Sequence, residues 1–257
     1  MEKAALQQPL RALADFFLPR RCVVCGRPLG LHERHICLYC DADLPLTRFW
    51  AQASQPMADR YNARIQEYLQ EERPERLEDY QYAAALFYYS EEAGYRGIPQ
   101  ALKYGGQLEL GRHFAARLGA LLAESPLWAD VDWVVPVPLH WLRRWRRGYN
   151  QAAVVAGEIA RELNRRPGAR VLLRTDVLRR RRHTLTQTRM SGQQKRRNVS
   201  GAFRARPAAS DAPRHILLVD DVFTSGSTLT ACHQALRAVF PPPVRISVAT
   251  LAFVQEE

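Results

Sequence analysis

Ile216-Leu217-Leu218-Val219-Asp220-Asp221-Val222-Phe223-Thr224-Ser225-Gly226-Ser227-Thr228 is the stretch from which the rest of the chain is read. Four apolar residues in a row predict a strand buried on both faces, as in a parallel sheet. Two carboxylates end it, and a short turn of Thr, Ser and Gly follows. Leu229 to Leu236 then has the pattern of a helix. A strand, a small hydroxylated turn and a helix make a cradle for an anion. The turn offers N–H groups and hydroxyls, Gly226 allows close approach, and the helix N-terminus favours negative charge.

The residues within this stretch narrow the ligand. A Walker loop needs a Lys before its Ser/Thr and a dinucleotide fingerprint needs three spaced glycines; neither is present. Paired carboxylates before a phosphate cradle suit a sugar with vicinal hydroxyls, and they suit a hydrated Mg2+. The ligand implied is a ribose 5-phosphate. All thirteen positions resemble the PRPP-binding motif of type I phosphoribosyltransferases. By that resemblance Asp220 and Asp221 take the ribose hydroxyls, and Thr224, Ser225, Gly226, Ser227 and Thr228 wrap the 5-phosphate. An ordinary strand–turn–helix with an Asp cap is the plainer alternative.

Charge is unevenly spread. The 257 residues carry a net +11, with 47% hydrophobic and 25% charged residues, so a soluble globular composition is expected. Residues 141–206 hold 19 Arg and Lys against 3 Asp and Glu, a local +16 that favours phosphates and polyanions such as nucleic acid. No apolar run reaches the ~18 residues of a membrane span. The N-terminus lacks the core of a secretory signal, and a cytoplasmic protein is expected. Leu6, Leu10, Leu13 and Phe17 fall at helical spacing and predict a short amphipathic helix.

Near the N-terminus stand two Cys-x-x-Cys pairs, Cys22/Cys25 and Cys37/Cys40, separated by eleven residues. Four thiolates at such spacing suit tetrahedral structural Zn2+. Disulfides and a redox pair are the rival readings; the absence of a signal and the doubling of the pair favour zinc. His32 and His35, between the pairs, read as bystanders, and Cys232 as a small core residue. Residues 43–80 are polar with few apolar anchors, so 51–80 reads as a partly helical linker. It would join a module over 1–50 to a main domain over 81–257.

Along that domain Tyr82–Tyr89 reads as a strand, and Lys103 beside Gly105-Gly106 is a candidate phosphate contact. Leu110–Leu122 reads as a helix. Trp133 to Pro138 is a short buried strand, followed by a loop with Arg143, Arg144, Arg146 and Arg147 interleaved with Trp141, Trp145 and Tyr149. Four arginines in five residues suit a pyrophosphate. A helix from Ala152 to Leu163, a strand near Val171–Arg174 and a long polar loop from Arg179 to Val199 follow. Thr184, Gln187, Arg197 and Asn198 are that loop's candidate contacts. No Ser–His or Cys–His arrangement is legible.

Taken together, the cysteine module, Leu102-Lys103-Tyr104, Val134 to Pro138, Arg147-Gly148-Tyr149-Asn150-Gln151, Thr184–Gln187, Arg197-Asn198 and the PRPP stretch resemble the ComF family. The resemblance covers nearly the whole chain from about Phe17. It implies an α/β fold of the type I phosphoribosyltransferase kind, a parallel-type sheet of five strands flanked by helices, with an N-terminal four-cysteine zinc module. It also implies natural transformation or use of external DNA, with PRPP and Mg2+, single-stranded DNA and competence DNA-uptake proteins as expected partners. Two functions stay open: a phosphoribose-binding protein that handles single-stranded DNA, and an active phosphoribosyltransferase of nucleobase salvage. A PRPP-sensing regulator has little support, because no helix-turn-helix pattern is present.

Overall fold

A computed structural model of the chain describes residues 19–72, 78–89, 94–104, 107–139, 148–181, 201–207 and 212–255. The expected helix carrying Leu6, Leu10, Leu13 and Phe17 lies outside them. In chain order the main elements are α1 (Leu38–Ala42), α2 (Pro56–Glu72), β1 (Ala83–Tyr89), α3 (Gly97–Tyr104), α4 (Leu108–Glu124), β2 (Trp133–Pro136), α5 (Gln151–Leu163) and β3 (Leu172–Leu173). Then come β4 (Leu178–Arg180), β5 (Phe203–Ala205), β6 (His215–Phe223), α6 (Ser227–Arg237) and β7 (Arg245–Val254).

Five strands form one sheet in the order β1-β7-β6-β2-β3, every pair parallel. The apolar run Ile216–Val219 is fully buried in the sheet's centre, as its lack of alternation requires. Leu217 and Val219 join a core with α4, α5 and the cysteine module; Ile216 and Leu218 join a second core with α2 and α6. β4 and β5 pair antiparallel as a separate two-stranded ribbon on the α6 side.

Within residues 51–80, read as a partly helical linker, α2 packs on the sheet. Met57, Ala58, Tyr61, Ile65 and Leu69 lie on one face of α2, spaced at three and four residues, and all are buried against the sheet. The polar side of the helix hides this stripe in the composition. Gln55 and Asn62 fasten the segment further: Gln55 Nε2 donates to Ala83 O at 2.7 Å, and Asn62 Nδ2 donates to Gln81 O at 2.8 Å. The cysteine module likewise packs on the domain, since Cys22, Leu29, Ile36 and Cys37 belong to the first core.

β6 also runs further than its apolar residues suggest. Asp220 and Asp221 lie inside the strand, which ends at Phe223 because β7 continues beside it to Val254. Side-chain alternation slips once at this level. Leu86 and Phe87 both face the first core, as do Leu251 and Ala252. In β6, Val222 packs against the first core and Phe223 against the second. The three strands slip together, so the pairings Asp220↔Thr250, Val222↔Ala252 and Phe87↔Ala252 stay in register.

Candidate functional site

The turn after β6 sits at the carboxyl end of the sheet, where ligands of open α/β folds bind. Gly226 has φ +75° and stands just before α6. A Cβ there would lie 2.7 Å from the Phe223 ring, so both backbone and space demand glycine. No side chain caps α6; its first N–H groups therefore point out of the helix toward the turn. Thr230 N donates to Gly226 O at 2.9 Å and starts the helix, while the Ser225 and Ser227 hydroxyls pair at 3.0 Å. Thr224 is exposed, Ser225 and Thr228 are half-buried and Ser227 is buried. The result is a run of N–H and O–H groups at the positive end of a helix, the arrangement that favours an anion.

Asp220 and Asp221 open this turn. Asp221 is nearly buried and Asp220 half-buried, and Asp221 N donates to Asp220 Oδ1 at 2.9 Å. Asp220 lies close enough to α6 to add to the effect of burial, which pushes the Cys232 thiol well up. Cys232 is fully buried, as expected of a core residue.

Arg60 of α2 is a participant the sequence reading missed. Its Nη1 donates to Thr224 O at 3.3 Å and to Val254 O at 3.0 Å, and its guanidinium lies 4.9 Å from the Phe253 ring centre. It ties the turn to the end of the neighbouring strand. A separation of 164 residues hides that link from any local pattern.

The second strand end is β2. Val137 N donates to Val219 O at 2.8 Å, and Asn150 Nδ2 donates to Val137 O at 3.0 Å. Tyr149 donates to Leu102 O at 2.6 Å. Asn150 and Tyr149 thus hold the return of the arginine loop against β2 and α3. A cavity of about 850 Å3 opens here, lined by Pro136, Pro138, Tyr149, Asn150, Asp176 and Arg179 among others. The residues of the turn after β6 do not line it. Arg143, Arg144, Arg146 and Arg147, with Trp141 and Trp145, lie outside the described residues, as do Thr184, Gln187, Arg197 and Asn198. The Lys103 backbone belongs to α3; its side chain lies outside as well.

The four cysteines converge. The Sγ atoms of Cys22, Cys25, Cys37 and Cys40 all lie within 4.8 Å of one another, with Cys25 and Cys37 at 3.7 Å. Tetrahedral Zn2+ with bonds of about 2.3 Å sets sulfurs about 3.8 Å apart, so the donor set fits a closed site. Burial pushes the Cys22 thiol up, but N–H groups of Cys25, Cys37 and Val24 outweigh it and bring the pKa down to about 7. Burial and hydrogen bonds with the other thiols hold Cys40 up. Cys22 ionises readily while Cys40 resists, an electrostatic tension that a divalent cation removes. Gly26, at φ +71°, turns the first knuckle. His32 and His35 stand outside the cluster.

A Ser–His–Asp arrangement, which the sequence did not reveal, does exist. His215 Nδ1 lies 2.8 Å from Asp130 Oδ1, and His215 Nε2 lies 2.9 Å from Ser247 Oγ. Ser247 and His215 are fully buried at the opposite, amino end of the strands and only Asp130 of the three reaches the surface, so the serine is closed to a substrate.

Residues 150–256 match the family model of the phosphoribosyl transferase domain, which takes in Asp220–Thr228 and leaves out the four cysteines. Competence protein F of Haemophilus influenzae is 37% identical over 105 residues, 40% of this chain and 43% of that protein. Over this part the chain resembles the competence and DNA-utilization proteins, and its sheet is that of the type I phosphoribosyltransferase fold. Another relative is the DNA utilization protein YhgH of Escherichia coli K12, 36% identical over 41% of the chain and 43% of the relative. The YhgH of Salmonella typhi is 33% identical over 48% and 53%. The chain spans about half the length of the curated relatives it matches. Among the described residues no helix is long and apolar enough to cross a membrane.

Proposed function

We propose that this ComF-type chain binds PRPP or ribose 5-phosphate at Asp220–Thr228 and handles single-stranded DNA in natural transformation or use of external DNA, in the cytoplasm. The observation that carries the proposal is the anion cradle at the carboxyl end of β6, entered through two adjacent carboxylates and closed by a required Gly226. The phosphate takes the N–H groups of the turn and of the first turn of α6. Asp220 and Asp221 accept from the ribose hydroxyls, and Mg2+ accompanies the pyrophosphate oxygens. Arg143, Arg144 and Arg147, with Lys103, Thr184, Gln187 and Arg197, are the proposed pyrophosphate contacts. The names of the competence and DNA-utilization relatives support the DNA-related half of the reading. Titration calorimetry with PRPP and Mg2+ tests the first half: saturable binding is expected, and its absence removes the proposal's base.

A second reading, base transfer in nucleobase salvage, draws on the cavity beside β2, which is roomy enough for a nucleobase. In that reaction the bond from ribose C1 to pyrophosphate breaks as an acceptor nitrogen bonds to C1, and the arginines stabilise the leaving group. Pyrophosphate release against a panel of nucleobases decides it. For the cysteine module the proposal is one structural Zn2+ on Cys22, Cys25, Cys37 and Cys40. Elemental analysis should find close to one zinc per chain, and a purified chain free of zinc with all four thiols reduced overturns it.

A further inference from the structure

The β4–β5 ribbon carries a charge arrangement that the ribose phosphate site does not use. Its inner face is core: Leu178, Phe203 and Ala205 are buried in the second cluster, and the Arg180 guanidinium turns in to lie 5.2 Å from the Phe203 ring centre. The outer face presents Arg179 and Arg181 from one strand, Arg204 and Arg206 from the other, all exposed. Arg179 stands directly opposite Arg204 in the ladder. Like charges at such a pair are destabilising, and none of the four arginines makes an ion pair among the described residues. Asp176 is already forked by Arg174, at 3.0 Å from Nε and 2.9 Å from Nη2, and Arg179 helps to hold it in its charged form. The four arginines, with Ala205 and Pro207, line a groove of about 380 Å3. Only Arg179 of these also borders the large cavity beside β2.

We infer that this groove binds the phosphodiester backbone of a single-stranded nucleic acid. The inference rests on the DNA-handling reading above and assigns it a surface. On a strand, alternate residues stand about 6.8 Å apart, and two paired strands lie about 4.8 Å apart. The arginines therefore form a diagonal row of three levels, with the Arg179–Arg204 pair in the middle, Arg181 one step beyond it opposite Ala202 and Arg206 one step before it opposite Val177, each level able to grip one of the successive phosphates of an extended chain. Rows this close serve one backbone. A duplex offers its two backbones across grooves of about 6 or 12 Å. The ribbon has no aromatic side chain on this face, so binding should be insensitive to sequence.

The test is fluorescence anisotropy of the full chain with a labelled thymidine oligonucleotide of about 16 nucleotides, over a salt series. Arg204→Glu with Arg206→Glu should weaken binding about tenfold or more, and flatten the slope of log K against log salt by about 1.4, the share of two phosphates on a single strand. Arg204→Gln with Arg206→Gln should show the same direction with a smaller loss. Reversing the exposed Arg34 and Arg170 instead changes net charge equally and should leave most of the affinity. Because Arg204→Glu faces Arg179, that variant should melt no lower than the parent, and calorimetry should show PRPP binding unchanged. If the parent binds the oligonucleotide and both ribbon variants bind it as tightly, the ribbon assignment is wrong while DNA handling survives. Equal affinity of the parent for duplex overturns the single-strand assignment. If the parent binds no oligonucleotide at any salt, the DNA reading itself falls and the ribbon with it.

Discussion

The two ends of β6 carry polar groups for opposite purposes. At the amino end His215 is fully buried and both ring nitrogens are engaged: Nδ1 with Asp130, Nε2 with Ser247, whose hydroxyl oxygen also accepts from Tyr82 N at 3.2 Å. Arg214 beside it grips Asp132 through both its backbone N–H and its guanidinium. At the carboxyl end the polar groups are a strand-borne carboxylate pair, a turn of hydroxyls and an uncapped helix start, with Thr224 exposed to solvent. Polar groups that satisfy one another rigidify a core, whereas donors left at an uncapped helix start are suited to a ligand. The contrast teaches how to read the Ser–His–Asp arrangement here. Its chemistry is that of a relay, yet its burial assigns it to stability.

The largest expected effect is at the closed end. His215→Ala leaves a cavity and the buried Ser247 hydroxyl without its ring partner, and should cost about 3 kcal/mol. Thermal melting should fall by roughly 6 to 12 °C for a chain of this size, with PRPP affinity unchanged well below the transition. A variant that melts normally but loses ligand would erase the distinction between the two ends. Next comes the open end. Asp220→Asn with Asp221→Asn keeps shape and removes charge. The dissociation constant for PRPP with Mg2+, measured by calorimetry, should rise more than about tenfold, with melting shifted far less than in His215→Ala. Unchanged affinity would remove the carboxylates from the site.

Gly226→Ala should act on both readouts. Its φ of +75° and the Phe223 ring 2.7 Å from the new Cβ impose strain of about 1–2 kcal/mol and displace the N–H groups of the turn. A small drop in melting with a several-fold loss of phosphate affinity is expected. Loss of neither would mean that the turn adapts and that the cradle is not preformed.

The smallest effect is in pH. Burial holds the His215 pKa below its ordinary value, against the raising effect of Asp130, and burial does the same to His233 against Glu78. The unfolded chain therefore takes up these protons first, near pH 6.5. Stability is fully present above that pH and declines as pH falls from about 6.5 toward the lower folded values. Melting followed from pH 8 down to pH 5.5 should show this decline, and it should be shallower in His215→Gln. A profile that is flat for the parent, or equally steep in both, would mean that the amino-end network does not hold His215 neutral.

Much of the site was legible because it is local. The cradle is one continuous strand–turn–helix, and hydroxyls, glycine and helix start follow each other along the chain. The four cysteines announce themselves by spacing, and tetrahedral geometry follows once a hairpin folds between them. Parallel pairing was legible too, since Ile216–Val219 and Val134–Val135 have no polar face to spare. What the sequence could not carry was separation. Arg60 reaches Thr224 across 164 positions, and Tyr149 reaches Leu102 across 47. The packing of α2 within residues 51–80 was hidden because a helix needs only one apolar stripe, and five residues among many charges supply it. The shared slip of β1, β6 and β7 at the carboxylates depends on three strands meeting at one level. The opposition of Arg179 and Arg204 depends on a register between strands more than twenty residues apart. Local order along the chain determined the cradle, the knuckles and the class of fold. Only tertiary structure decided which charges are buried and satisfied and which face outward, because partners for a buried charge come from wherever the chain returns.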